Sequence, residues 1–269
     1  MAIETRLAPR TALFLPASNP RAIEKARGLS VDLVILDLED AVKPTDKDAA
    51  RTAAAAAIRE GMGGKPVAVR INAPGTPDCG PDMVLLRETP ADFVVVPKVE
   101  TARAALDVHS VMLKPVLAMI ETPSGVLAAH EIAAAQMVHG LIAGTNDLRA
   151  ELRIPPAADR SGLALALQTI VLAARAGGAW ALDGVFNALD DSQALGEECR
   201  AGRAMGFDGK TLIHPNQIDI AAEAFAPSEA EREEARALIE AASGGAERFR
   251  DRMIEEMHVA QARALLARA

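Results

Sequence analysis

The feature that most constrains the fold of this chain is a rhythm of eight short apolar runs separated by segments of helical character. The runs are TALFLPA (11–17), VDLVILDLE (31–39), KPVAVRIN (65–72), ADFVVVPKVE (91–100), KPVLAMIET (114–122), MVHGLIAGTND (137–147), WALDGVFN (180–187) and GKTLIHP (209–215). The helical segments cover 22–28, 47–60, 82–89, 101–110, 126–135, 161–176, 192–205 and 217–225. Runs with little polar alternation are typical of strands buried on both faces, so the pattern predicts an α/β chain that forms a (β/α)8 TIM barrel. A doubly wound open sheet is the alternative, disfavoured because no GxGxxG motif follows the first run.

The segment 227–269 lies beyond the eighth unit, and it predicts a C-terminal helical extension to a barrel of residues 1–226. Ser228 and the acidic turn after it predict a helix over 228–242, and a second helix is expected over 248–269. A Ser-Gly-Gly break separates the two. The extension is expected either to pack on the barrel or to act as a lid for a neighbouring subunit.

Charged and polar side chains gather at the carboxyl ends of the predicted strands, whereas the strand starts are plain. These ends carry Asp37, Glu39, Asp40, Arg70, Asn72, Lys98, Glu100, Glu121, Asn146, Asp147, Asp183, Asn187 and His214. Charges placed at random in loops would load both ends of the sheet equally. Because barrel enzymes hold their catalytic residues at the carboxyl ends of the strands, the pattern predicts an active site there.

Two of these carboxylates, Glu121 and Asp147, end neighbouring predicted strands and are expected to converge. A shared divalent cation would relieve their repulsion, and Mg2+, with Mn2+ as a substitute, suits a site of few oxygen ligands. One alternative is that Glu121 simply lies past its strand in water. Another is a glycosidase-type acid/base pair, disfavoured because the chain has six Phe, one Trp and no Tyr for a sugar platform.

Arg70 and Lys98 are cationic groups at the same strand ends, and they are expected to bind an anionic substrate. Arginine suits a planar carboxylate because its guanidinium donates two parallel hydrogen bonds. The alternative for Arg70 is a structural ion pair with Asp37 or Glu39 inside the mouth of the barrel.

The composition narrows the class of partner. A net charge of −8 and an aromatic content of 3% argue against nucleic acid. Cys79 and Cys199 lie far apart without CxxC spacing, which is typical of reduced thiols in a cytoplasmic protein. The N-terminal apolar run is too short for a signal peptide, and no run approaches the ~18 residues of a membrane span. A cytoplasmic protein acting on small molecules is therefore expected.

Several motifs together resemble a known family. In chain order they are LFLPASNP, VILDLEDAV, VRIN, VVPKVE, MIETPSGV, GTNDL, DGVFN and GFDGKTLIHPNQI. On these motifs the chain resembles the citrate lyase beta-subunit-like branch of the HpcH/HpaI aldolase superfamily, from about Arg10 to the last helix. The resemblance implies a (β/α)8 barrel, Mg2+, a coenzyme A thioester or 2-oxo acid as the small-molecule ligand, and a homotrimer or a multiple of trimers.

The resemblance also implies roles for individual residues. Glu121 in IETPSG and Asp147 in GTNDL would be the metal ligands. Arg70 in VRIN would hold the substrate carboxylate or carbonyl oxygen, with Glu121 and Lys98 as further substrate-binding groups. The active site would also be lined by Asp37, Glu39 and Asp40, which together with Arg70 are the candidates for catalysis. The coenzyme A side would involve the first βα loop, with Arg10, Pro16, Ala17, Ser18 and Lys25 as candidates.

The expected function is that of a Mg2+-dependent carbon–carbon lyase. It would cleave a citryl-, malyl- or citramalyl-CoA type thioester to a 2-oxo acid and an acyl thioester. Relatives often carry a DGxMI(D/E) segment that reaches a neighbouring subunit, and here Asp251 stands at its Gly and Glu255 at its last position. One alternative is a metal-dependent aldolase on free 2-oxo acids, disfavoured because the first two predicted strands carry no His base. The other is a non-catalytic barrel that binds metal or coenzyme A.

Overall fold

The fold, seen in a computed structural model that describes residues 7–268, is built on a closed barrel of eight parallel strands. Each strand pairs with the next along the chain, and β1 closes the barrel by pairing with β8. The predicted (β/α)8 TIM barrel is confirmed. The strands are β1 Thr11–Pro16, β2 Leu33–Asp37, β3 Val67–Arg70, β4 Phe93–Val96, β5 Val116–Ile120, β6 Val138–Ala143, β7 Trp180–Asp183 and β8 Gly209–Leu212.

Helices connect the strands and continue after the last one. They are α1 Pro20–Ala26, α2 Lys47–Glu60, α3 Cys79–Leu86, α4 Ala102–Met112, α5 Pro123–Leu127, α6 Ala129–Ala133, α7 Thr145–Glu151, α8 Ala164–Gly177, α9 Ser192–Met205, α10 Ile218–Phe225, α11 Glu229–Ala241 and α12 Glu256–Leu266. Short 3-10 turns cover Pro44–Asp46, Arg160–Leu163 and Pro215–Gln217. Among the described residues, none of these helices has the length and apolarity that a bilayer crossing requires.

The core of the barrel is mostly aliphatic, with Phe14 and Phe93 inside it and Trp180 packed against it. Alternate strand residues point inward and pack together, among them Ala12, Phe14, Leu33, Ile35, Ala68, Phe93, Val95, Leu117, Met119, Ile142 and Leu182. Because side chains alternate along a strand, the residues between these inward-facing ones point outward and pack against the surrounding helices. Both faces of each strand are therefore buried, which explains why the runs are apolar throughout.

Two helical predictions need correction. The predicted helix over 126–135 is two short helices, α5 and α6, which meet at Ala128. The first begins earlier than expected because Thr122 accepts the Gly125 N–H as an N-cap and Pro123 occupies the first turn.

The chain divides into two compact units, Ala8–Ala222 and a second that includes Glu223 onward. In the second unit the predicted helix over 248–269 is wrong in its first part. There β9 Glu247–Phe249 and β10 Arg252–Ile254 form an antiparallel hairpin before α12. Phe249 and Ile254 point from the hairpin into a small core with α11 and α12, whereas Met253 is exposed. Each short strand thus buries one residue against α11 and α12, which fits a hairpin packed on the helices by one face.

Candidate active site

A cavity of about 360 Å³ opens at the carboxyl end of the barrel. Seven of the residues selected from the sequence line it, namely Pro16, Asp37, Asp40, Arg70, Glu121, Asn146 and Asp147. They come from the exits of five different strands, which a parallel barrel brings to a single mouth. The charged residues that the sequence places at the strand ends thus surround a single cavity.

Glu121, the residue after β5, is buried rather than solvated, with 4% of its surface exposed. Its Oε1 accepts a hydrogen bond of 2.7 Å from the backbone N–H of Lys98, whose φ of 52° lies in the left-handed region. A Cβ on Gly144, at the exit of β6, would lie 2.3 Å from the Glu121 Cβ, so glycine is required there. Burial, with the Asp147 charge as a further cause, raises the Glu121 pKa to about 7.

Asp147 reaches the same cavity from a helix. The prediction that it ends a strand is wrong, because β6 stops at Ala143 and Asp147 lies in the first turn of α7. Its carboxylate is half-buried, and Lys98 Nζ lies 3.7 Å from its Oδ2. The first turn of α7 lines the cavity, so Asp147 shares it with Glu121 without a longer strand.

The donor set fits a hard divalent cation with an incomplete protein shell. Glu121 and Asp147 supply carboxylate oxygens, and no group of three or more His, Cys, Asp or Glu converges as a metal site within residues 7–268. Mg2+ is bound in this way, by one or two carboxylates with the remaining positions left to water and substrate. A cation between the two carboxylates would also offset the Asp147 repulsion, which adds to the effect of burial on the Glu121 pKa.

Arg70, the last residue of β3, is held by the acidic loop after β2. Its Nε donates a 2.7 Å hydrogen bond to Asp37 Oδ1, and its Nη2 donates a second 2.7 Å hydrogen bond to Asp37 Oδ2. Its Nη1 lies 3.1 Å from Glu39 and 3.9 Å from Asp40, and the guanidinium stacks over the Phe14 ring. The ion pair that was the alternative interpretation is therefore present, while Arg70 also lines the cavity.

Asp37 and Glu39 are both buried, at 1% and 7% exposure. Asp37 also accepts the backbone N–H groups of Glu39 at 2.9 Å and Ala41 at 3.1 Å, which ties the loop to the guanidinium. Glu39 Oε2 is the oxygen that lies 3.1 Å from Arg70 Nη1, and this buried atom makes an ion pair but no hydrogen bond among the described residues. Burial raises the Glu39 pKa to about 8, although the Arg70 charge opposes that shift.

Known proteins match this barrel over most of its length. The HpcH/HpaI aldolase/citrate lyase family matches residues 10–215. The (3S)-malyl-CoA thioesterase of Cereibacter sphaeroides is 41% identical over 269 residues, covering 97% of this chain and 94% of the relative. This chain belongs to the HpcH/HpaI aldolase/citrate lyase family.

Two solved structures of family members from Mycobacterium tuberculosis are also similar. The protein CitE in complex with magnesium, acetoacetate and coenzyme A has a TM-score of 0.84 and 36% identity, over 97% of this chain and 98% of that one. The citrate lyase beta subunit complexed with oxaloacetate and magnesium has a TM-score of 0.72 and 37% identity, over 82% of this chain and 98% of that one. The resemblance to the citrate lyase beta-subunit-like branch is thereby confirmed.

The residues expected on the coenzyme A side of this family member are spread along β1 and α1. Pro16 lines the cavity and Ala17 is buried beside it. Ser18 and Lys25 are exposed on the loop and helix that follow. Arg10 precedes β1 and donates its backbone N–H to the Asp32 carboxylate. It therefore lies at the amino end of the barrel, one strand length from the mouth of the cavity. Contact of these residues with coenzyme A stays a prediction.

Two strand-end residues have structural roles. Asp183 is completely buried at the end of β7, where it is paired with Lys210 and Arg160. His214 lies two residues after β8, where its ring accepts the Asn216 N–H and caps the turn at Pro215.

Other cavity residues escaped the sequence analysis because they are not charged. They are Phe14, Ala41, Met119, Ala143, Gly144, Val185, Thr211 and Ile213. Phe14 and Met119 could have been found from the sequence, because the two-residue period of their strands makes both point into the barrel.

The raised Glu39 pKa predicts a pH dependence of stability in the metal-free protein. The folded pKa of about 8 exceeds the ordinary value of 4.5, so protonation of Glu39 favours the folded state. This contribution to the free energy of unfolding is fully present below pH 4.5 and is lost as the pH rises through about 8. Glu39→Gln mimics the protonated acid, so its melting temperature relative to wild type should rise between pH 5 and 9, by the equivalent of a few kcal/mol at most. Thermal melts in a chelator test this, and a difference that is equal at pH 5 and pH 9 would contradict it.

Proposed function

We propose that this chain is a Mg2+-dependent carbon–carbon lyase that cleaves a 3-hydroxyacyl thioester of the citryl-, malyl- or citramalyl-CoA type. The observation that carries the proposal is the convergence of Arg70, Glu121 and Asp147 on one cavity. The solved relatives give support, because their ligands are magnesium with coenzyme A and acetoacetate or with oxaloacetate. The products would be a 2-oxo acid and an acyl thioester.

Glu121 and Asp147 would hold the metal, with Mn2+ as a substitute for Mg2+. When bound, the metal would supply Lewis acidity that lowers the pKa of the substrate hydroxyl. Arg70 Nη1, the part of the guanidinium not committed to Asp37, would bind the substrate carboxylate or the oxygen on which negative charge develops. Asp37 would fix that guanidinium, and Lys98 would add positive charge at the rim beside Asp147.

The reaction needs one proton to leave and another to arrive. The hydroxyl proton departs, the bond between the carbinol carbon and the thioester α-carbon breaks, and that carbon then takes up a proton. Asp40 lines the cavity with an exposed carboxylate, and Glu39 lies behind it against Arg70. Asp40 is the carboxylate proposed to exchange protons with the substrate, because Glu39 is not among the residues that line the cavity, and a metal-bound water is the alternative.

The direct test incubates the protein with Mg2+ and citryl-, malyl- and citramalyl-CoA in turn. We expect one thioester to release a 2-oxo acid and an acyl thioester in equal amounts, and EDTA to stop the release. Because a similar relative is named a thioesterase, free coenzyme A and the hydroxy acid are measured as well. Release of free coenzyme A without a 2-oxo acid would show thioester hydrolysis and overturn the lyase proposal.

The aldolase and non-catalytic alternatives are tested in the same assay. A free 2-oxo acid with an aldehyde acceptor replaces the thioester, and product formation there alone would favour an aldolase. Neither β1 nor β2 contains a His that could serve as its base. Binding of Mg2+ and coenzyme A without turnover of any substrate would identify a non-catalytic barrel.

We also propose that the protein forms a homotrimer or a multiple of trimers, in which residues 227–269 act as a lid for a neighbouring subunit. The extension has its own core, yet Met253 and Met257 on it remain 65% and 57% exposed. Large exposed methionines are typical of interaction surfaces. A cytoplasmic location is proposed as well, because both cysteines are buried and unpaired.

Truncation after Gly244 should abolish activity while leaving the barrel folded. The reason is that the eight strands of the barrel all precede the cut, whereas the hairpin and α12 follow it. Circular dichroism and thermal melts report folding, and light scattering reports the oligomeric state. Full activity of a truncated monomer would rule out the lid.

A further inference from the structure

Lys47, the first residue of α2, has an unusual set of partners. Its ammonium donates to the backbone carbonyls of Leu38 at 2.6 Å and Glu39 at 2.7 Å, and to Asn72 Oδ1 at 2.6 Å. An ammonium has three donors, so these three bonds use its whole capacity. All three acceptors are neutral oxygens, and two belong to the acidic loop that follows β2.

Lys47 lies at the amino end of α2, where the helix dipole disfavours a positive charge. The first turn of a helix is the positive end of its dipole and favours acidic side chains over basic ones. A lysine as the first residue of α2 therefore breaks a local rule. Such departures from local preference tend to occur where a functional geometry requires them.

The contacts of Lys47 complete a clamp on the loop that carries Glu39 and Asp40. On one side, the Asp37 carboxylate accepts the N–H groups of Glu39 and Ala41. On the other side, Lys47 binds the carbonyls of Leu38 and Glu39. Leu38 still donates its N–H to the Arg70 carbonyl at the end of β3, and the Glu39 carbonyl also accepts the Val42 N–H. Lys47 thus adds a side-chain donor to two carbonyls just beyond the end of β2.

A second residue of α2 anchors the same clamp from behind. Arg51, four residues after Lys47 and on the same face of the helix, donates from Nε to the buried Asp82 at 2.7 Å. Asp82 in turn accepts both the backbone and the side-chain N–H of Asn72, at 2.8 and 2.7 Å. Lys47, Asn72, Asp82 and Arg51 thus form a closed ring that joins α2 to the exits of β2 and β3.

We propose that Lys47 is a positioning residue of the lyase site, whose ammonium fixes the Leu38–Glu39 peptide and thereby the Glu39 carboxylate beside Arg70 Nη1. The kinetic part of this inference rests on the proposed function. The structural part of the inference is that Lys47 keeps the loop after β2 rigid against Arg70. It does not depend on which ligand the Arg70 guanidinium binds.

The test compares Lys47→Met, which keeps the apolar stem and deletes the ammonium, with Lys43→Met, a control at an exposed lysine of the same connection. In metal-free protein, hydrogen exchange of the peptide over 38–42 should be at least about tenfold faster in K47M, because the clamp has lost one side. In the lyase assay its kcat should fall about 100-fold with KM within about threefold of wild type, as expected for lost orientation. K43M should match wild type in both.

Several outcomes would overturn the proposal. Folded K47M with wild-type exchange and kcat would show that Lys47 merely occupies a helix end, and an equal loss in K43M would show a general charge effect. If K47M does not fold, Lys47→Arg replaces it. A planar guanidinium cannot direct three bonds from one nitrogen, so folded K47R with wild-type exchange and kcat would also refute the clamp. If wild type turns over no thioester, the proposed function fails, while the exchange measurement still decides the role of Lys47.

Discussion

Replacing Arg70 by lysine should lower kcat/KM by about 10²–10³-fold, the usual scale for losing a donor aimed at developing negative charge. Lysine keeps the positive charge but has a single nitrogen, so it cannot hold Asp37 with two bonds and also direct a third donor into the cavity. In the structure Arg70 holds Asp37 with Nε and Nη2, its Nη1 lies 3.1 Å from Glu39, and the residue lines the cavity. Steady-state kinetics on the thioester identified in the lyase assay measure the loss.

The same substitution should also cost stability. Asp37 is almost completely buried, and a lysine would leave one of its oxygens with a weaker partner. Loosening a buried charge pair in this way costs about 1–3 kcal/mol, which a thermal melt detects. Arg87→Lys is the matched control, because Arg87 is half-exposed and pairs with the adjacent Glu88. R70K with near-wild-type kcat/KM would show that Arg70 serves only the ion pair.

The fold was largely predictable because its signals are local. The helices over 47–60 and 192–205 match α2 and α9, since each ends at a glycine, Gly61 or Gly206, with positive φ. The strands proved shorter than the apolar runs that predicted them. The polar residues at the end of each run belong to the exits, where pairing stops and the chain bends around the cavity.

The hairpin over 247–254 was missed because its pattern spans only three residues in each strand. Phe249 and Ile254 are buried by α11 and α12, and sequence periodicity cannot reveal burial that depends on tertiary packing. The sequence therefore predicted the extension but not its internal structure.

In the candidate site, Glu121 and Arg70 could be found because each stands where an apolar run ends. The residues that support them could not be found in this way. Lys47 lies on a helix with ordinary neighbours, and its contacts with Leu38 and Asn72 arise only when the exits of β2 and β3 meet. A sequence shows which groups carry charge, whereas the partner that orients each charge is a long-range fact of the fold.

Asp147→Asn should remove Mg2+ dependence together with most of the rate, and leave the metal-free protein equally or more stable. Without metal, the Asp147 charge adds to the burial that raises the Glu121 pKa to about 7. Because this folded pKa exceeds the ordinary value, the associated stability is lost as the pH rises through about 7. An amide at position 147 removes the repulsion, so the variant should lose less stability than wild type between pH 5 and 8.

With metal present, the same substitution should have the opposite effect. An amide oxygen is a weaker ligand for Mg2+ than a carboxylate, and Glu121 would then be the one anionic ligand of the proposed pair. Losing several kcal/mol of transition-state stabilisation corresponds to about a thousandfold in rate or more. Melting curves at pH 8 with and without Mg2+ should show an upward shift in wild type that the variant lacks, since ligand binding stabilises the folded state. Asp190→Asn, at an exposed aspartate, is the control. If D147N binds Mg2+ as tightly as wild type, Glu121 and Asp147 are not the metal site, and the mechanism proposed for this barrel fails with them.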